Sequence, residues 1–229
     1  MFTQHSFPVA FENGPKRRVF AQAIEWIGWC RAGKDEVRAL KELLAAGSRY
    51  AQVASRAGFT FSAPTSSESF EIVERVAGTA TTDFGAVSAL LASDSEPFQE
   101  GETEQLSRLL QACWATFDEA LMRIPAGQRE VKPERGRSPD AIQFHLLEAD
   151  LMHLSAFGPA FRQPKAEQVA EQITRVREEM LVRLAAIPPK EAFTPSRRYG
   201  FVWTPRFAVR RSAWHALDHA WEIEERFGM

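Results

Sequence analysis

From residue 104 onward one pattern repeats: apolar side chains three or four positions apart, interrupted by proline, glycine or charged stretches. Leu106, Leu109, Leu110, Cys113, Phe117, Leu121 and Ile124 form the first such stripe, which Pro125-Ala126-Gly127 ends. Ser138-Pro139-Asp140 opens a second, through Phe144, Leu147, Leu151 and Leu154 to Gly158. A third runs from Lys165 to Ile187 with Val169, Ile173, Val176, Met180 and Leu184 on one side, before Pro188-Pro189. The fourth, Pro205 to Phe227, has Thr204 as N-cap, Pro205 at its first helical position and Gly228 at its end. A period near 3.6 buries one face of a helix. Four such helices in succession predict a bundle. The connection holding Phe193, Tyr199, Phe201 and Trp203 is long enough to cross one end of that bundle and wall a pocket, or simply to pack there.

The first third reads differently. Ser6 to Glu12 predicts a strand, Asn13-Gly14-Pro15 a turn, and Arg18 to Trp29 a second extended run. Gly33 and Asp35 then introduce a long helical pattern through Val37, Leu40, Leu44, Ala51 and Ala54 to Gly58. Ser69 to Val76 reads as a strand beside the first two. The stretch from Ser93 to Glu104, rich in Ser, Asp, Glu and Pro, reads as a linker. The expected fold class is therefore α+β in two domains: a small β-α-β module over residues 1–92, a linker over 93–103, and an all-α four-helix bundle over 104–229.

At 229 residues, 45% hydrophobic and 25% charged, the chain can bury a sizeable core. A formal net charge of −2, with no basic run, gives nucleic acid no electrostatic foothold. No apolar stretch approaches the roughly 20 residues that span a bilayer, and Met1 to Pro8 lacks a signal-peptide pattern, so a cytoplasmic protein without a membrane partner is expected. Cys30 and Cys113 match no zinc or redox spacing, and Cys113 falls on an apolar stripe as a core thiol.

The chemistry concentrates on the last helix. His215 and His219 are four apart and project from one face, where two imidazoles can grip one metal ion. Arg211 precedes them by a turn and Glu222 follows, so the polar stripe continues in both directions. Such a stripe is also what an ordinary solvent-facing side would show, so a third ligand from another helix is required. Of the chain's five histidines, His145 and His153 lie on the second helix, eight residues apart and so turned about 80° from each other. Only one of them is expected to meet the pair. Three imidazoles from two helices would leave one or more positions for water or substrate. Asp218, Glu148 and Glu222 are candidate carboxylates behind the ligands. Glu222 is the nearest candidate for a general acid or base, and Arg211 either steadies an anionic substrate or, preferably, pairs with Glu222.

Two resemblances add to this reading. Gly28-Trp29-Cys30-Arg31-Ala32-Gly33-Lys34-Asp35, followed by a helix, resembles the strand-to-helix turn of the HicB-like domain, a small module best known from antitoxins. It covers about the first 90 residues and implies a protein partner for that module. Phe144-His145-Leu146-Leu147-Glu148-Ala149-Asp150, with Trp214-His215-Ala216-Leu217-Asp218-His219-Ala220-Trp221-Glu222-Ile223-Glu224, resembles the DinB family of metal-binding four-helix bundles. This resemblance implies that His145, His215 and His219 are the ligands, with His153 behind them or on the surface. It also implies a divalent metal, zinc, nickel or iron, and a transferase or isomerase that uses a low-molecular-weight thiol on a small-molecule substrate. A non-catalytic metal or ligand sensor is the alternative, and a homodimer is a further expectation.

Overall fold

The computed structural model describes residues 6–134, 136–159, 161–162, 168–192, 196–198 and 201–229. It is a mixed α+β chain, with a four-stranded sheet near the amino terminus followed by a helical region. β1 (Phe7–Asn13) and β2 (Val19–Ala23) form an antiparallel hairpin, β3 (Cys30–Gly33) adds to β2, and β4 (Phe70–Ala77) lies parallel to β1. The sheet order is β3-β2-β1-β4. A parallel pair needs a crossover, and α1 (Glu36–Ala45) and α2 (Gly47–Arg56) supply it. Asp35 starts α1 by accepting the Arg38 N–H at 2.7 Å, the N-cap expected of its type.

Two local expectations are corrected here. The run from Arg18 to Trp29 is not one extended segment: β2 stops at Ala23, the chain turns back so that Ala23 N–H donates to the Trp29 carbonyl at 3.0 Å, and β3 begins at Cys30. Gly28 makes that turn with φ +89°, and a Cβ there would lie 2.9 Å from both Cys113 Sγ and Leu217 Cδ1. A residue with a side chain would be strained in the backbone and would push the turn off the helices behind it. The helical pattern from Val37 to Gly58 is likewise two helices, divided at Ala46.

α3 (Ala80–Phe84) follows β4, and then come α4 (Glu102–Met122), α5 (Ala126–Arg129), α6 (Pro139–Leu154) and α7 (Val169–Ala185). A short hairpin of β5 (Ser196–Arg198) and β6 (Phe201–Trp203) leads into α8 (Pro205–Phe227), capped by Thr204 and closed by Gly228 at φ +68°. α8 packs against α4 and α6, while α7 packs against α6 and α4. Phe193 and Tyr199 of the aromatic connection, and the start expected for the third helix at Lys165, lie outside the described residues.

One continuous apolar core joins Trp29, Leu43 and Tyr50 of the front to Leu109, Phe117 and Leu217 of the helices. The stretch 93–103 is packed against it: Phe98 is fully buried, and Asp94 is fully buried in an ion pair with Arg210 of α8. Arg210 also donates to Gln22 of β2, whose amide donates to the buried Glu12 at 3.3 Å. No described helix is long and apolar enough to cross a membrane.

A buried pair that loses one partner strands a charge at a cost of about 3–5 kcal/mol. Asp94→Ala should therefore lower the urea-derived stability by that order. Arg56→Ala, which breaks the exposed Arg56–Glu119 pair, should cost no more than about 1 kcal/mol. Equal effects would show that the 94–210 contact is not what fastens the front to α8.

Candidate metal centre

α8 is buried around most of its circumference, and this decides where chemistry can occur. Between Phe207 and Ile223 every residue is buried except Arg211, His215, Asp218, His219 and Glu222. These five form one axial stripe, because steps of three and four return to the same face. Trp214, Leu217, Ala220 and Trp221 pack on the other sides and prevent the helix from rotating. The apolar pattern of this sequence thus selects which side of the helix meets solvent, and the two histidines are on it.

α6 brings His145 to the same place. Its ring centroid lies 4.8 Å from that of His215 and 5.6 Å from that of His219, and the two α8 rings are 4.8 Å apart. One nitrogen from each of the three falls within 4.8 Å of the others. The expected triad is therefore brought together, and it could hold a metal ion.

The closest pair is the most informative. His219 Nε2 and His215 Nε2 face each other at 3.1 Å. Two nitrogens bound tetrahedrally to one zinc-sized ion sit about 3.3 Å apart, given bond lengths near 2.0–2.1 Å. His219 Nδ1 meets Glu222 Oε2 at 2.7 Å. With Nδ1–H donating to that carboxylate, Nε2 is the nitrogen of His219 that faces His215. This is the carboxylate–histidine arrangement that orients a metal ligand.

Glu222 is itself held. Its other oxygen accepts from Arg226 one turn later, and Arg226 Nη1 donates to the Arg137 carbonyl at 2.7 Å. The hydrogen bond from His219, with help from the neighbouring cations, keeps the Glu222 carboxyl below the usual carboxylate range. The expected pairing of Arg211 with Glu222 does not occur. Eleven residues of helix separate their α-carbons by about 16 Å. Arg226, at i+4, was the readable partner.

Arg211 instead lies over two aromatic faces, 5.4 Å from the Trp203 ring centroid and 5.9 Å from that of Phe207. Burial pulls its guanidinium down to about 10, which leaves it cationic at neutral pH. Asp218, considered as a carboxylate behind a ligand, turns to Arg31 of β3 at 3.5 Å. Glu148 is exposed.

His153 is not on the surface. It is 1% exposed, with Nδ1 3.3 Å from Asp150 Oδ1 and its ring against Trp203. Asp150 also accepts from Ser212 Oγ at 2.6 Å, and Ser212 accepts the Trp114 indole N–H at 3.0 Å. Arg177 approaches Asp150 at 3.5 Å and binds Asp118 at 3.0 Å. This buried network ties α4, α6, α7 and α8 together beneath the triad. The i, i+3 spacing of Asp150 and His153 was its one signal in the sequence.

Burial, then the neighbouring cations and imidazoles, lowers the His145 imidazole from 6.5 to about 4. Burial holds His215 well below its ordinary value. Both rings are therefore neutral at pH 7, with lone pairs available for a metal. Between pH 6.5 and about 4 the unfolded chain takes up a proton that folded His145 refuses, so this group's contribution to stability is present above 6.5 and is lost as the pH falls. The urea midpoint of the metal-free protein should decline across that window, and His145→Gln should decline less. Identical pH profiles for the two proteins would contradict the assignment.

No protein-family model, curated protein or solved structure matches the chain.

Proposed function

We propose that the chain is a metal-dependent enzyme of the DinB type, in which His145, His215 and His219 hold one divalent ion, zinc, nickel or iron, and leave a position open to a small molecule. In this reading α4, α6, α7 and α8 form the family's four-helix bundle, and the β-α-β front is a HicB-like module. The observation that carries the reading is the convergence of three imidazoles from two helices, with the two on α8 3.1 Å apart. Bound there, the ion would lower the pKa of a thiol or water and make it a nucleophile near neutral pH.

The protein's own part is positioning. α8 and α6 fix the rings, and Glu222 sets the His219 tautomer, with Arg226 and the Arg137 carbonyl holding Glu222 in turn. Three imidazole ligands would add no negative charge of their own, so the ion would act as a strong Lewis acid on whatever occupied the open position. The partly exposed stripe of α8 would keep that position accessible, while Trp214 stacks on His215 with ring centroids 5.7 Å apart and so fixes that ring. The substrate class that the resemblance implies is a low-molecular-weight thiol with an electrophilic acceptor.

After reconstitution the protein should hold one zinc, nickel or iron per chain by elemental analysis. His215→Ala should hold none, and should lose turnover of a thiol with an electrophile. Glu222→Ala should keep the site but bind the metal about 10–100-fold more weakly. Stoichiometric metal in His215→Ala would refute the ligand set. Metal without turnover on any thiol pair would favour a sensor instead.

A further inference from the structure

Along the partly exposed stripe of α8, four of the five residues have polar partners: Asp218 pairs with Arg31, Glu222 with Arg226 and His219, and His215 faces His219. Arg211 is different. Among the described residues no carboxylate lies within ion-pair distance of it, and its contacts are the faces of Trp203 and Phe207. Its neighbour Arg210 points the other way, into Asp94 and Gln22, so the two consecutive arginines divide between a closed structural pair and an open one.

A guanidinium stacked on an aromatic face keeps its N–H donors, which lie in the plane of the group, free to bind at the edge. Arg211 stands one turn before His215 on the same face, so the cation and the three imidazoles occupy successive turns of one surface. A largely desolvated charge without a counter-charge is costly, and one planar monoanion meets the fork of a single arginine edge-on with two parallel hydrogen bonds. A phosphate dianion would call for more donors than a single arginine offers.

We propose that Arg211 receives the carboxylate of the molecule bound at the three-histidine centre, so that the ligand is a small acid with a thiol at one end and a carboxylate at the other. The inference rests on the metal reading above. The ligand is held at two points, and Arg211 thereby selects acids over neutral thiols.

Mercaptopropionate and mercaptopropanol differ only in that carboxylate. Titrated into the cobalt(II)-loaded protein at neutral pH, each is followed by the thiolate-to-cobalt charge-transfer band. The acid should bind tighter than the alcohol by on the order of tenfold or more, as a charge-assisted pair allows. Arg211→Gln should abolish that preference while its cobalt uptake and its affinity for the alcohol match those of the unsubstituted protein. Arg211→Lys, which keeps the charge and loses the fork, should retain part of it. Equal affinities in the unsubstituted protein, or a preference that survives in Arg211→Gln, would overturn the proposal while leaving the metal centre intact. Failure to take up cobalt at all would instead sink the metal reading, and this proposal with it.

Discussion

The burial of α8 on nearly every side is the constraint from which the rest follows. A helix with Phe207, Val209, Trp214, Leu217, Trp221 and Ile223 buried has no freedom to rotate about its axis. Its one open stripe is therefore defined by subtraction, and that stripe carries Arg211, His215, Asp218, His219 and Glu222. The sheet contributes to this lock. Gly28 lets the β2–β3 turn approach Cys113 and Leu217, and Arg210 reaches back through Asp94 and Gln22 towards Glu12.

Two polar networks of different character flank the helix. On the sheet side, Glu12 accepts from Thr82 Oγ1 at 2.6 Å, from the Ser88 N–H at 2.9 Å and from Gln22, so a fully buried carboxylate is satisfied. Beneath the triad, Asp150 gathers Ser212, His153 and Arg177. Buried carboxylates partnered in this way favour a single arrangement, since any other would strand a charge in the core. The triad lies at the edge of this packed interior, where its rings are partly accessible and burial keeps His145 and His215 neutral. That combination suits imidazoles that must offer lone pairs to an ion.

Much of this was legible in the sequence, and what was not has a common cause. The four long helices were readable because each carries its own apolar period, and the His215/His219 pair because helical spacing is local. His145 needed the convergence of α6 and α8, which no local pattern states; it was expected only from a resemblance, and the fold brings its ring centroid within 4.8 Å of that of His215. The stretch 93–103 has the composition of a linker, yet Asp94 is buried because its partner Arg210 stands 116 residues away. His153 has the same history: its burial depends on Trp203 and on the α4, α7 and α8 side chains around Asp150. The Arg211–Glu222 pairing was an error of another kind, a polar stripe read as contiguous when three helical turns separate its ends. β3 was hidden because Gly28 to Asp35 reads as a turn, and four residues are too few to show alternation.

The account stands on three imidazoles sharing one ion, and X-ray absorption at the metal edge of the reconstituted protein tests this most directly. It predicts three imidazole nitrogens at about 2.0–2.1 Å from the ion, with one imidazole lost from the scattering of His145→Ala. An ion with no imidazole in its shell, or a spectrum unchanged by His145→Ala, would contradict it.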